Sequence, residues 1–138
     1  KKAEKLVEVC KEALQLGIGV VKPGAKLGDI GATIQTFAER HGYSIVKEFC
    51  GHGIGSEFHE EPQILHYGNF GEGLEIKKGM VFTIEPMVNL GKPDLKILSD
   101  KWTAVTQDGQ ISAQFEHTLC VTDNGVDVMT RLDGKTKF

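Results

Sequence analysis

Apolar residues recur at three- and four-residue spacing in the first part of the chain and in short β-prone runs after it. Residues 3 to 21 place Leu6, Val9, Cys10, Ala13, Leu14 and Gly17 on one stripe, which predicts an amphipathic helix. Cys10 lies in that stripe and reads as a small buried hydrophobe. Lys22-Pro23-Gly24 closes this helix with a turn. A second helix is expected from about Asp29 to Arg40, burying Ile30, Ile34, Phe37 and Ala38. Asp29 suits the positive end of its first turn, and Gly42 suits the stop just past its last.

From Tyr43 the period changes. Ser44 to Phe49 reads as a strand that enters a glycine-rich, poorly periodic stretch, Gly51-His52-Gly53-Ile54-Gly55-Ser56-Glu57-Phe58-His59-Glu60-Glu61-Pro62. Leu74 to Gly79 reads as the approach to a turn, and Met80 to Val88 as a strand. Leu95–Leu98 and Trp102–Thr106 are two short strands, and Asp108-Gly109 marks the turn that follows. Ile111 to Thr122 is a long strand, and Asp123-Asn124-Gly125 turns the chain so that Val126 to Thr130 pairs back. Two helices followed by mainly antiparallel strands make an α+β fold. No internal repeat and no low-complexity linker interrupts it.

Composition narrows the function. At 138 residues, 40% hydrophobic and 25% charged, the chain suits one globular domain with a real core. A net charge of -3, with Lys and Arg scattered, argues against a nucleic-acid backbone as a required partner. No apolar run approaches a membrane span, so no membrane partner is expected. Cys10, Cys50 and Cys120 are an odd set without close pairing, which fits a reducing, cytoplasmic setting. The chain lacks an initiator Met and opens inside a helical pattern, as a piece of something longer would.

The candidate chemistry begins with carboxylates in expensive places. Glu85 and Glu116 lie in apolar, β-prone runs with no Lys or Arg within four residues. Burying a carboxylate is costly unless it is paired or holds a metal. His52, flanked by glycines, adds an imidazole, and the three form a possible metal-ligand set. Pro86 removes a ladder donor, so its strand should end or sit at an edge beside Glu85. His59 could be a further ligand, a general acid or a donor to an oxyanion. Phe58 is an aromatic candidate for a substrate pocket, and Trp102, on composition, a core or hairpin anchor. Glu60, Glu61, His41 and His66 read as surface residues.

Several motifs, in order, carry a resemblance: Cys50-Gly51-His52-Gly53-Ile54-Gly55, Phe58-His59-Glu60-Glu61-Pro62, Leu65-His66-Tyr67, Gly79 to Met87, and Gln114-Phe115-Glu116-His117-Thr118. Together they resemble type I methionine aminopeptidases of the bacterial kind, from the first helix to Thr130. The resemblance implies the pita-bread fold, two similar halves of helices on a shared, curved antiparallel sheet. It implies removal of the initiator methionine from nascent polypeptides whose N-termini start with Met. Two divalent metal ions (Co, Mn, Fe or Zn), bridged by carboxylates and a water, are its implied cofactors. By the same resemblance His52 and Glu85 are ligands of one metal, and Glu116 bridges both. His59 then contacts the scissile peptide, while Phe58 and Trp102 wall the methionine pocket. Phe49 stands where many members carry a tyrosine.

The family's other two metal ligands are aspartates from an N-terminal half, which also supplies a further active-site histidine. Asp29 is the only aspartate before His52, and it opens a helix. Residues 1–138 therefore read as a single partial domain, the C-terminal half of the catalytic domain, whose partner is the missing half or a second copy. Xaa-Pro aminopeptidases and prolidases share the surroundings of His52, His59, Glu85 and Glu116, and a non-catalytic module of the same fold is a third reading. Phe58-His59-Glu60-Glu61-Pro62, Pro86-Met87 and Trp102 favour the methionine-specific branch. A half-sheet leaves unpaired edges and an apolar face. Sedimentation of the isolated chain should therefore show self-association or marginal stability, and a monomer with ordinary two-state unfolding would contradict this.

Overall fold

The computed structural model describes all residues from Lys1 to Phe138. Helix α1 spans Lys2–Gly19 and α2 spans Leu27–Arg40. The apolar stripe of α1 is buried as its spacing predicts, with Leu6, Cys10, Leu14 and Ile18 almost wholly enclosed. Helix α2 starts two residues before Asp29, whose carboxylate accepts the Lys26 amide at 2.8 Å. The same carboxylate accepts the Gly71 amide at 2.7 Å, and these backbone donors hold its pKa below the usual range. Gly42, at φ 79°, ends the helix in a conformation that L side chains rarely adopt.

The strands are β1 (Ser44–Ile45), β2 (Gly51–Gly53), β3 (Glu60–Ile64), β4 (Val81–Ile84), β5 (Met87–Asn89), β6 (Leu95–Ile97), β7 (Ala104–Thr106), β8 (Ser112–Gln114), β9 (His117–Val121) and β10 (Val126–Val128). One antiparallel sheet has the order β10-β9-β4-β2-β3, a second has β1-β5-β8, and β6-β7 is a separate hairpin. Both helices pack on these sheets around a shared core that includes Phe82, Ile84, Val88 and Leu119.

The expected element order holds, with four differences. The strand expected over 44–49 pairs only at Ser44 and Ile45. The glycine-rich stretch, expected as irregular loop, contains the β2–β3 pair, in which His52 lies opposite Gln63. Trp102 and Thr103 precede β7 rather than joining it. Most consequentially, the two longest expected strands are each broken once. Residues 80–88 form β4 and β5, and residues 111–122 form β8 and β9.

The breaks face each other. Ile84 pairs with His117 and Met87 with Gln114, so Glu85-Pro86 lies opposite Phe115-Glu116 in an unpaired gap. Pro86 explains one side, because it has no N–H to give the ladder. The strand end expected beside Glu85 is thus present, and its partner strand gives way at the same level.

Helix α2 seats directly on the segment after β3. At Gly31 an added Cβ would run into the carbonyl oxygens of Tyr67 and Leu65, which are backbone and cannot swing aside. Gly31→Ala should lower unfolding stability by about 1–3 kcal/mol in a urea titration. Gly125→Ala, with no atom within 4 Å of the new carbon, should change it by no more than about 0.5 kcal/mol.

Candidate metal centre

His52, at the middle of β2, is held from two sides. Its amide donates to Thr83 Oγ1 at 3.0 Å, and its Nδ1 lies 3.0 Å from the Gly53 carbonyl. A carbonyl only accepts, so Nδ1 carries the hydrogen and leaves the Nε2 lone pair free. That Nε2 faces Glu85 Oε1 at 3.5 Å, both side chains being largely shielded. An imidazole nitrogen and a carboxylate oxygen converging in this way suit a cation between them. A proton on Nε2 or a metal ion would supply it. Glu116, aimed at the same point, favours the ion: ligand atoms of His52, Glu85 and Glu116 all lie within 4.8 Å of one another. One imidazole nitrogen with two carboxylate oxygens suits a first-row divalent ion.

The two carboxylates reach this point from the opposed breaks in the ladder. Glu85 follows the end of β4 and is half-buried, whereas Glu116 precedes β9 and is exposed, so the burial expected of both carboxylates holds only for Glu85. Thr83 Oγ1 donates to Glu85 Oε1 at 2.8 Å, and Gln114 Nε2 approaches Glu85 Oε2 at 3.4 Å. Burial raises the Glu85 pKa most strongly and nearby Glu116 adds to it, against the Thr83 hydrogen bond and the two histidines. A carboxyl placed where its own charge is penalised is one that a bound cation would stabilise. Under the gap, Cys10 of α1 lies 3.4 Å from the Pro86 carbonyl and 3.3 Å from that of Ala113. Burial pushes its thiol up to about 11, so the thiol keeps its hydrogen and donates it to these carbonyls.

His59, exposed just before β3, sets its ring 4.2 Å from that of His52, centroid to centroid, with the planes tilted by 60°. Phe58 lies 5.6 Å from His52 and 4.5 Å from His59. The structure therefore brings together His52, Glu85, Glu116, His59 and Phe58. Trp102 is not with them. It is neither a core residue nor packed in its hairpin, being 88% exposed between β6 and β7. Expected as its anchor, it has no neighbour to pack on because the β6–β7 hairpin carries few buried residues.

The pocket beside His52 and His59 is also lined by Cys50, Glu48, Glu60 and Glu61. Burial, then Glu85 and Glu61, raises the Cys50 pKa, which keeps it a thiol and makes it a poor nucleophile.

His66 is the residue that reading the sequence missed. Expected at the surface, it is 1% exposed, and its Nε2 accepts the Glu85 amide at 3.0 Å. Burial holds its pKa down at about 4, so the ring is neutral near pH 7. The signal available in sequence was its place two residues after the buried Ile64, which marks chain still running beneath the sheet.

Residues 1–123 match the profile of metallopeptidase family M24. The chain belongs to this family. It is 58% identical over 128 residues to methionine aminopeptidase A of Synechocystis, a match covering 93% of this chain and 51% of that protein. It is 52% identical over 127 residues to the methionine aminopeptidase of Escherichia coli, covering 92% and 48%. The crystal structure of methionine aminopeptidase from Rickettsia prowazekii superposes with a TM-score of 0.93 at 51% identity, covering 94% of this chain and 53% of that one. Prolidase from Pyrococcus furiosus superposes with a TM-score of 0.69 at 24% identity, a likeness of fold alone. The fold is thus the pita-bread α+β architecture of M24 peptidases. The chain spans about half the length of the curated relatives it matches.

The depressed His66 pKa gives the M24 chain a pH signature. An unfolded histidine takes up a proton near 6.5, whereas folded His66 refuses it until about 4. Stability is therefore full above pH 6.5 and is lost as pH falls toward 4, by up to about 3 kcal/mol from this group. Denaturant titrations of the metal-free protein between pH 7.5 and 4 should show this loss, and His66→Leu should remove its share of it.

Proposed function

We propose that this chain supplies part of the active site of a methionine aminopeptidase, a metal-dependent hydrolase that releases methionine from the N-termini of nascent polypeptides. The observation that carries the reading is the convergence of His52, Glu85 and Glu116 on one point, with His59 and Phe58 beside it. The identities of 58% and 52% to two methionine aminopeptidases support the choice of substrate.

His52, Glu85 and Glu116 would hold the divalent ions from this side of the site. The chemistry such ions would supply when bound is Lewis acidity, toward a carbonyl oxygen and toward a water whose pKa it lowers. The ion is Co, Mn, Fe or Zn, all of which accept this donor set. The remaining ligands are two aspartates from a part of the protein outside this chain, or from a second copy. In that arrangement residues 1–138 form the C-terminal half of the catalytic domain.

The protein's own groups do the rest. The fixed tautomer of His52 keeps Nε2 free for the ion. His59, whose ring lies against that of His52, donates to the oxygen on which negative charge develops as the peptide carbon becomes tetrahedral. Phe58 forms one wall of a pocket for the methionine thioether, and Trp102 a second wall in the complete enzyme. Glu48, Glu60, Glu61 and Glu85 make the pocket strongly negative, which attracts both a divalent ion and the ammonium group of a peptide N-terminus. No helix is long and apolar enough to cross a membrane. A cytoplasmic place of action, where nascent chains emerge, is part of the same proposal.

The complete translated protein, with Mn(II) or Co(II) under reducing conditions, should release methionine from Met-Ala-Ser and leave Ala-Pro peptides intact. Glu116→Gln should lower kcat by about a hundred-fold or more. Cleavage of Ala-Pro in preference would place the protein with the Xaa-Pro peptidases, and absence of metal binding would make it a non-catalytic module.

A further inference from the structure

The unpaired gap that presents Glu85 and Glu116 leaves backbone groups without ladder partners. One of them, the Glu85 amide, is accepted by the Nε2 of His66 at 3.0 Å. We propose that His66 is a positioning residue for the metal centre, fixing the Glu85 backbone so that its carboxylate meets His52 and Glu116. The proposal rests on the metal-centre reading above.

Three observations carry it. First, His66 makes no other hydrogen bond. Its Nδ1 is buried without a partner, although the ring must carry its hydrogen there if Nε2 accepts. An orphaned buried donor is costly, and a purely structural position would be better filled by an apolar side chain. Second, the ring is itself rigidly placed. Its neighbours Leu65 and Tyr67 have their carbonyls seated on Gly31 of α2, so the helix layer fixes His66 and His66 fixes the ligand. Third, the Glu85 carboxylate has its own hold from Thr83 Oγ1, leaving the backbone as the remaining freedom to be fixed. Groups behind a metal ligand commonly change affinity ten- to a hundred-fold when removed.

Glutamine and asparagine separate this role from simple packing. A glutamine amide oxygen can take the place of the His66 Nε2 and still accept the Glu85 amide. Asparagine is shorter and reaches only the Nδ1 position. Both are polar and carry similar burial costs. In the complete translated protein, Co(II) binding would be followed by calorimetry and by the visible absorption of the bound ion, with thermal midpoints of the metal-free forms measured alongside. His66→Asn should weaken Co(II) binding by about ten-fold or more and alter the spectrum, and His66→Gln should stay within about three-fold of the unsubstituted protein. Equal binding by all three, or equal loss in both variants, would overturn the proposal.

Nitrogen NMR of the unsubstituted, metal-free protein tests it without any variant. Nε2 should be the unprotonated nitrogen of His66, coupled through its hydrogen bond to the Glu85 amide. A proton on Nε2 would overturn it. If the unsubstituted protein takes up no Co(II), the metal-centre reading itself falls, and the role assigned to His66 falls with it.

Discussion

The site depends on one interruption. Strands β4 and β5 would be a single strand, and β8 and β9 its partner, but for the gap between the Ile84–His117 and Met87–Gln114 pairs. In an unbroken antiparallel ladder, successive side chains alternate between the two faces of the sheet. Glu85 and Glu116 would then be fixed by strict alternation, with their amides and carbonyls committed to each other. Breaking both strands at the same level takes their backbone groups out of the ladder, while the unchanged register keeps Glu85 opposite Glu116, within reach of His52.

An interruption inside a packed sheet has to be compensated. Two side chains make polar contacts beneath it, one on helix α1 and one on the segment that α2 covers. Cys10 of α1 approaches the Pro86 and Ala113 carbonyls, and His66, seated on α2, accepts the Glu85 amide. Gln114 adds a weak approach to the Glu85 carbonyl from the strand itself. Backbone groups buried without partners are rare because each forfeits its hydrogen bonds to water. The helix layer thus covers the apolar face, and Cys10 and His66 supply part of the hydrogen bonding that the site disrupts.

The same arrangement sets stability against function. Glu85 is partly desolvated beside Glu116, and both burial and that neighbour disfavour its charge. His52 Nε2 faces an acceptor instead of a donor. Without an ion these are unfavourable juxtapositions. With one, they become the binding energy of the centre, so that the fold and the metal are thermodynamically linked.

Much of this was legible in the sequence. The helices, the element order and the α+β class follow from periodicity, because a helix and a strand bury different spacings of apolar residues. Glu85 and Glu116 stand out as carboxylates in apolar, β-prone runs, and His52 as an imidazole flanked by glycines. Pro86 announced the break in its own strand, since a missing N–H is a local property. The matching break at Phe115-Glu116 could not be read, because no residue there is a breaker and the cause lies in the strand opposite. His66 was missed for a related reason. A histidine two residues past a strand looks like surface until α2 is laid across Leu65 and Tyr67, and Trp102, the opposite case, looks like core until its hairpin proves to stand alone. What the chain determined by itself is what depends on neighbours in sequence. What only the tertiary structure decided is which groups meet across strands and layers, because hydrogen-bond partners and burial are set by residues distant along the chain.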